Sequence, residues 1–291
     1  MTPFNGVLPV DKPSGPTSHD IVAIARRSLG LRRIGHTGTL DPFASGLLLL
    51  CLGPSTRLAE YLTGLPKRYV ATIRLGAATD TDDHQGTVIE SSEEWQRIDR
   101  EALESALGEQ RGDILQTPSS FSAKKVAGER MYDVARRGGV VDLKPVAVRV
   151  ERLDLLRYDP PDAEVAVDCS SGTYVRAIAR DVGRSLGTGG HLVRLRREGI
   201  GSFDVGAALS LEELAEPAAV ARALIQPGEA VGHLPRVVVS AEHVRSLGNG
   251  GAVPAPPGSE EGPLALVDAE GTLLALGERA GEMVRPRKVF L

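Results

Sequence analysis

The chain has 291 residues, 42% apolar and 25% charged, with a formal net charge of −4. Those proportions belong to a folded globular protein, exclude a disordered or fibrous one, and give enough length for a large domain plus a smaller one. Two distant cysteines, Cys51 and Cys169, lie outside any CxxC pair; they exclude a disulfide framework or cysteine zinc site and read as small buried apolar residues.

In chain order, the N-terminus lacks a basic start followed by a long apolar stretch, and the longest apolar run, Leu47 to Leu52, is too short to cross a bilayer. The expectation is a cytoplasmic protein without a membrane span. Gly6 to Val10 reads as a short strand, and DKPSGPTS as a turn ending at Ser18, a suitable N-cap with Asp20 in the first helical turn. Ile21, Val22, Ile24, Ala25 and Leu29 form the apolar stripe of the helix, which Gly30 stops. The glycine-bearing loop RRIGHTGTLDPFASG then feeds a strand whose apolar run, Leu47 to Leu52, does not alternate.

Lys67 to Leu75 alternates as a half-buried strand, and Trp95 to Leu107 has helical spacing. Val146 to Leu156 and Glu164 to Cys169 predict further strands; Thr173 to Leu186 predicts an arginine-rich helix closed by Gly187, and Leu211 to Leu224 another helix. Helices and strands mix without βαβ alternation, which favours an α+β fold on a mixed, mainly antiparallel sheet with flanking helices. The Pro/Gly-bearing stretch IQPGEAVGHLPR marks a boundary, giving domains 1–235 and 236–291. Past it, Val237 to Val239, a helix over Ala241 to Leu247 and strands near 264–268, 272–276 and 283–290 suit a small β-barrel.

The negative net charge argues against a nucleic-acid partner, but its distribution argues the other way. Arg111 to Arg152 holds nine Lys/Arg against five acids, and Thr173 to Ile200 six Arg against two, whereas eleven acids fall between Asp80 and Asp113 and twelve between Asp204 and Glu282. Such segregation can build one basic face, or merely solvate helices.

The sequence contains no HExxH, GxxxxGK[ST] or GxSxG, and no GxGxxG opening a helix after a strand. Metal, nucleotide and serine-hydrolase chemistries therefore lose their usual signals. What remains is GHTGTLDPFASG, where Asp41 precedes a proline and is held out of helical geometry at the entrance to a buried strand. Local sequence alone makes Asp41 a turn former and His36 a loop histidine.

The segment GHTGTLDPFASGLLLLCLG resembles the signature of the TruB family of pseudouridine synthases. Four further blocks join it in the family's order: VDKPSGPTSHDIV, KRYVATIRLGAATDTDD, QTPSSFSAKKVAGERMYDVARRG and CSSGTYVRAIARDVGRSLGTGGHLVRLRR, together spanning roughly residues 7 to 200. The resemblance implies a pseudouridine-synthase catalytic domain followed by a PUA-like barrel. It implies an enzyme that isomerises the T-loop uridine at tRNA position 55 by flipping the base, without metal or organic cofactor. Its catalytic aspartate would be Asp41, paired with Arg176. Tyr69 would stack on the uracil, His36 would fill the gap left in the RNA, and Tyr174 and Leu195 would line the pocket. Lys12 and Pro13 match a motif whose role looks structural. The basic block at about 111–150 resembles an insertion that clasps the T-stem loop, making Lys124, Lys125, Arg130, Arg136 and Arg137 candidate phosphate contacts. The implied protein is a monomer with no obligate protein partner. Its rivals are a non-catalytic RNA-binding protein or folding chaperone that keeps the fold without turnover, and a guide-dependent synthase acting on other RNAs.

Overall fold

The computed structural model describes residues 4–119, 144–256 and 262–291, together with a short backbone pairing of Lys125–Val126 with Glu129–Arg130. The candidate contacts Lys124, Arg136 and Arg137 lie outside the described residues, and for Lys125 and Arg130 only the strand pairing is described.

The first strand, β1 (Gly6–Lys12), leads into helix α1 (Ser18–Leu29). The N-cap is Thr17 rather than the expected Ser18: Thr17 accepts the Asp20 N–H while the Asp20 carboxylate accepts the Thr17 N–H, a reciprocal capping box. Ser18 is freed for another task described below. Gly30 ends the helix in the left-handed region, at φ 61°.

Next come β2 (Ile34–His36), β3 (Ser45–Leu52), helix α2 (Ala59–Thr63), β4 (Lys67–Leu75) and the hairpin β5 (Ala77–Thr79) with β6 (Val88–Ser91). The helical spacing over Trp95 to Leu107 resolves into a 3-10 turn, Glu94–Arg97, and helix α3 (Arg100–Gly108). Asp99 divides them because its carboxylate accepts the Ala102 N–H and caps a new helix. Then follow β7 (Gly112–Gln116), the short β8 (Lys125–Val126) and β9 (Glu129–Arg130), β10 (Val146–Asp159), β11 (Asp162–Cys169), α4 (Val175–Ser185), β12 (Gly190–Ile200) and β13 (Phe203–Asp204).

The large sheet runs β1-β3-β12-β4-β11-β10-β7, with β2 added on β3 and β13 on β12. Every pairing is antiparallel except β12 with β3, where Arg196 and Arg197 lie beside Ser45 and Gly46. At that approach Gly46 is at φ 101°, and a Cβ there would stand 2.2 Å from the Arg197 carbonyl oxygen. Only glycine permits it.

The non-alternating run of β3 has a physical reason: both of its faces are covered. Leu48, Leu50 and Leu52 pack with Ile21, Val22 and Ala25 of α1, while Leu47, Leu49 and Cys51 pack with Val231, Leu234, Ala265, Val267, Leu273 and Leu276. On β4, β10 and β11, residues Ile73, Leu153, Val165 and Val167 share a third cluster with Leu103 and Leu107 of α3 and Ile178 and Val182 of α4.

The predicted helix over Leu211 to Leu224 is interrupted. A 3-10 turn, Glu213–Ala215, precedes α5 (Pro217–Ala223), since Pro217 offers no N–H to continue a helix and is suited to starting one. After α6 (Pro227–Ala230), the chain forms β14 (Arg236–Val238), α7 (Ala241–Gly248), β15 (Val253–Pro254), β16 (Pro263–Val267), β17 (Leu273–Ala280) and β18 (Met283–Val289). These strands make a second sheet in the order β14-β16-β17-β18-β15, a curled half-barrel. No helix among the described residues is long and apolar enough to cross a membrane.

Candidate active site

Asp41 lies in the loop between β2 and β3, and the turn after β1 fixes that loop on both sides. The Ser18 hydroxyl accepts the Leu40 N–H at 2.9 Å and donates to the Leu40 carbonyl at 3.2 Å. On the other flank the Pro42 carbonyl accepts Gly15 N–H at 2.8 Å and the Lys12 ammonium at 3.3 Å, while Ser14 donates to the Phe43 carbonyl. Lys12 is fully buried and also donates to the carbonyls of Pro13 and Pro16. Burial lowers its pKa to about 8, partly offset by the field of Asp41. The motif around Lys12 and Pro13 is thus a brace for the aspartate loop.

Arg176 enters from the first turn of α4, where the helix dipole disfavours a cation. Carboxylates outweigh that cost: Nε lies 3.0 Å from Asp41 Oδ2, and Nη1 lies 3.5 Å from Asp83 Oδ2 and donates to the Thr81 carbonyl at 2.8 Å. The Arg176 side chain is 6% exposed and that of Asp83 7%, whereas Asp41 keeps 35% of its side-chain surface open. The crowded surroundings push the Asp41 carboxyl above the ordinary aspartate value; Arg176 pulls it down and Asp83 adds a smaller upward push.

One turn further along α4, Arg180 pairs with Asp82 at 3.1 Å and with Asp181, and donates to the Thr117 carbonyl. The β5–β6 hairpin loop therefore grips α4 at two successive turns. The start of α4 is held from the opposite side by buried Gln116, whose side-chain amide accepts the Tyr174 N–H at 2.8 Å and donates to its carbonyl at 3.1 Å.

The open side of Asp41 faces a cleft of about 640 Å³ whose lining includes Tyr69, Tyr174, Arg176 and Leu195, together with Lys67 and Arg197. Five of the six expected catalytic and pocket residues, Asp41, Arg176, Tyr69, Tyr174 and Leu195, thus meet in one place. Burial raises the Tyr69 phenol, and Arg197 is its hydrogen-bond partner. His36 stands outside the lining set, at the end of β2, edge-on to His19 with ring centroids 5.2 Å apart. Its Nδ1 accepts the Gly38 N–H, and burial with the fields of His19 and Arg197 lowers its pKa to about 4, leaving a neutral ring at physiological pH.

Sequence reasoning missed Asp83, Gln116, Lys67 and Arg197. The available signal for the first is TDTDD at the end of the block KRYVATIRLGAATDTDD, a run of acids that composition alone merges into the acidic stretch from Asp80 to Asp113. The second basic island also differs from expectation, because most of its arginines turn inward. Besides Arg176 and Arg180, Arg196 makes a two-pronged pair with Asp11, and buried Arg197 donates to the carbonyls of Leu47 and Gly38. Only Arg184 and Arg194 of the six are exposed.

Residues 26–175 match the family described as TruB family pseudouridylate synthase (N terminal domain), and residues 176–242 match tRNA pseudouridylate synthase B C-terminal domain. The chain is 41% identical over 299 residues to tRNA pseudouridine synthase B of Mycobacterium leprae (strain TN), covering 98% of this chain and 92% of that protein. It is 50% identical over 220 residues to tRNA pseudouridine synthase B of Corynebacterium jeikeium (strain K411), covering 73% and 71%. Among solved structures, a chain of a Cbf5-Nop10-Gar1 complex superposes with a TM-score of 0.78 at 26% identity, covering 98% of this chain and 85% of that one. A chain of an H/ACA RNP bound to a substrate RNA containing 2'-deoxyuridine gives 0.77 at 25% identity, with the same coverages.

Proposed function

Because the chain belongs to the TruB family of pseudouridylate synthases, we propose that it isomerises the T-loop uridine at position 55 of tRNA to pseudouridine, with Asp41 as its catalytic carboxylate. The observation that carries this reading is the pairing of Asp41 with Arg176 at 3.0 Å while Asp41 keeps an open side toward the cleft. The reaction breaks the bond from ribose C1′ to N1, turns the uracil and joins C5 to C1′. No redox step is involved, and one aimed carboxylate can serve as nucleophile or base. A bidentate guanidinium keeps such a carboxylate ionised and oriented although burial works against it.

A base inside a folded T-loop must leave its stack to reach Asp41. Extrusion costs roughly a few kcal/mol, and stacking on the Tyr69 ring would recover about 1–3 kcal/mol. Tyr174 and Leu195 would complete the pocket. His36, neutral at physiological pH, offers a planar uncharged ring to fill the space left in the RNA. Lys124, Lys125, Arg130, Arg136 and Arg137 would clasp the T-stem through phosphates, so that the enzyme acts as a monomer on bare tRNA without a guide.

Release of tritium from C5-labelled uridine in a tRNA transcript tests the reading. Asp41→Asn is expected to abolish release while tRNA binding largely survives; normal turnover by this variant would remove Asp41 as the catalyst. Release by the wild-type protein on bare transcript separates the stand-alone enzyme from a guide-dependent one.

A further inference from the structure

The proposed reaction has an electrostatic requirement that Asp41 and Arg176 do not meet. When the C1′–N1 bond breaks, its electron pair stays on N1 and the uracil becomes an anion, with charge spread over N1, O2 and O4. That anion forms in a cleft that already holds the Asp41 carboxylate. A cation placed where this charge develops would stabilise it far more than water could, because it needs no reorganisation during the reaction.

Among the described residues three cations line the cleft: Arg176, Arg197 and Lys67. Arg176 is engaged by Asp41, Asp83 and the Thr81 carbonyl, and Arg197 by two carbonyls and the Tyr69 hydroxyl. Lys67 differs. Its ammonium donates to the Thr63 and Leu65 carbonyls at the end of α2, has no carboxylate partner among the described residues, and keeps a third donor. The side chain belongs to a residue only 8% exposed that nevertheless lines the cleft. Two carbonyls orient the ammonium without neutralising it. Strand alternation puts Lys67 on the same face of β4 as Tyr69, about 7 Å along the strand, within reach of a ring stacked on that tyrosine.

We propose that Lys67 is a catalytic residue whose ammonium hydrogen-bonds the detached uracil and balances its negative charge between breakage of C1′–N1 and formation of C5–C1′. This rests on the reaction proposed above. Lys67 transfers no proton: the electron pair left on N1 is drawn back through the ring as C5 bonds to C1′, and loss of the C5 proton is matched by gain of one at N1. Burial and the neighbouring Arg197 lower its pKa to about 8, which leaves the ammonium mostly protonated at neutral pH.

The test compares uridine with 5-fluorouridine at the target position of a tRNA transcript, following loss of the parent nucleoside in a single turnover. Fluorine withdraws charge and stabilises the uracil anion by itself, so bond breaking depends less on an outside cation. Lys67→Gln retains donors for the two carbonyls but no charge. It is expected to slow reaction of uridine by about a hundredfold and that of 5-fluorouridine by less than about tenfold, with unchanged tRNA affinity. Lys67→Met serves as a second variant should the first prove unstable. Equal slowing of both substrates, as from a purely structural lysine, or no slowing of either, overturns the proposal. Failure of the wild-type protein to form pseudouridine in this assay would instead overturn the underlying reaction.

Discussion

Replacing Asp83 with asparagine removes one of the two carboxylates that, among the described residues, share Arg176, at almost constant size. Asp83 Oδ2 lies 3.5 Å from Arg176 Nη1, while Oδ1 accepts the Thr81 hydroxyl at 2.7 Å and the Gln85 N–H at 3.0 Å. Asparagine can keep the Oδ1 contacts, so the loss is one charge-assisted interaction, about 1.5–3 kcal/mol. For a protein of this size that lowers Tm by roughly 3–12 °C. A looser Arg176 misaims Asp41, which lowers turnover by up to about a hundredfold. The pH profile carries the sharper expectation. Asp83 pushes the Asp41 carboxyl up and Arg176 pulls it down, so Asp83→Asn moves the acid limb of activity to lower pH, whereas Arg176→Gln moves it to higher pH. Single-turnover tritium release from mildly acid to neutral pH reads both. Limbs that coincide, or move in the same direction, refute the clamp as a tuner of Asp41.

Asp41→Asn is expected to lose less stability at neutral pH than Asp83→Asn, although its contact with Arg176 is the shorter, at 3.0 Å. The raised carboxyl binds its proton more tightly folded than unfolded, so its ionisation costs stability as pH rises through the folded value and offsets the lost contact, and a calorimetric Tm well below that of Asp83→Asn would contradict this. Gly46→Ala places a Cβ against the Arg197 backbone at φ 101°; a loss of at least about 2 kcal/mol should appear in the urea midpoint, and an unchanged midpoint would disprove the tight β3–β12 approach. Truncation after Leu234 strips buried Ala265, Val267, Leu273 and Leu276 from the cluster around Leu47 and Leu49 and removes the Lys288–Glu60 ion pair at the cleft wall. At about 1.5–3 kcal/mol per large apolar side chain this rivals the stability of the whole protein, so the fragment should lose cooperative unfolding; a wild-type melting curve would make the second sheet dispensable.

Elements governed by local rules were legible in the sequence. The stripe and Gly30 stop of α1, the alternation of β4, and the turn-bounded strands of the second sheet follow from periodicity and backbone chemistry. Errors arose where one side chain redirected the backbone: Thr17 took the cap from Ser18, Asp99 opened a second helix, and Pro217 began one inside a predicted helix. The central strand β12 escaped notice because its arginines read as surface charge. The meeting of Asp41 with Arg176, 135 positions apart, has no local signature and was reached only through family resemblance.

The fate of those arginines also bears on how an acidic protein would hold RNA. Arg176, Arg180, Arg196 and Arg197 are occupied by Asp41, Asp82, Asp11 and backbone carbonyls, so the second island organises the cleft rather than presenting a basic face. A charge held by an internal carboxylate releases few counterions when RNA binds. Arg111, Arg149 and Arg152 are likewise paired, with Asp154, Asp113 and Glu151, so under the proposed function attraction to phosphates would rest on Lys124, Lys125, Arg130, Arg136 and Arg137. Under the proposed function the two islands, alike in composition, would divide the work: one fixes the geometry of the Asp41 carboxylate, and the other would bring the RNA to it.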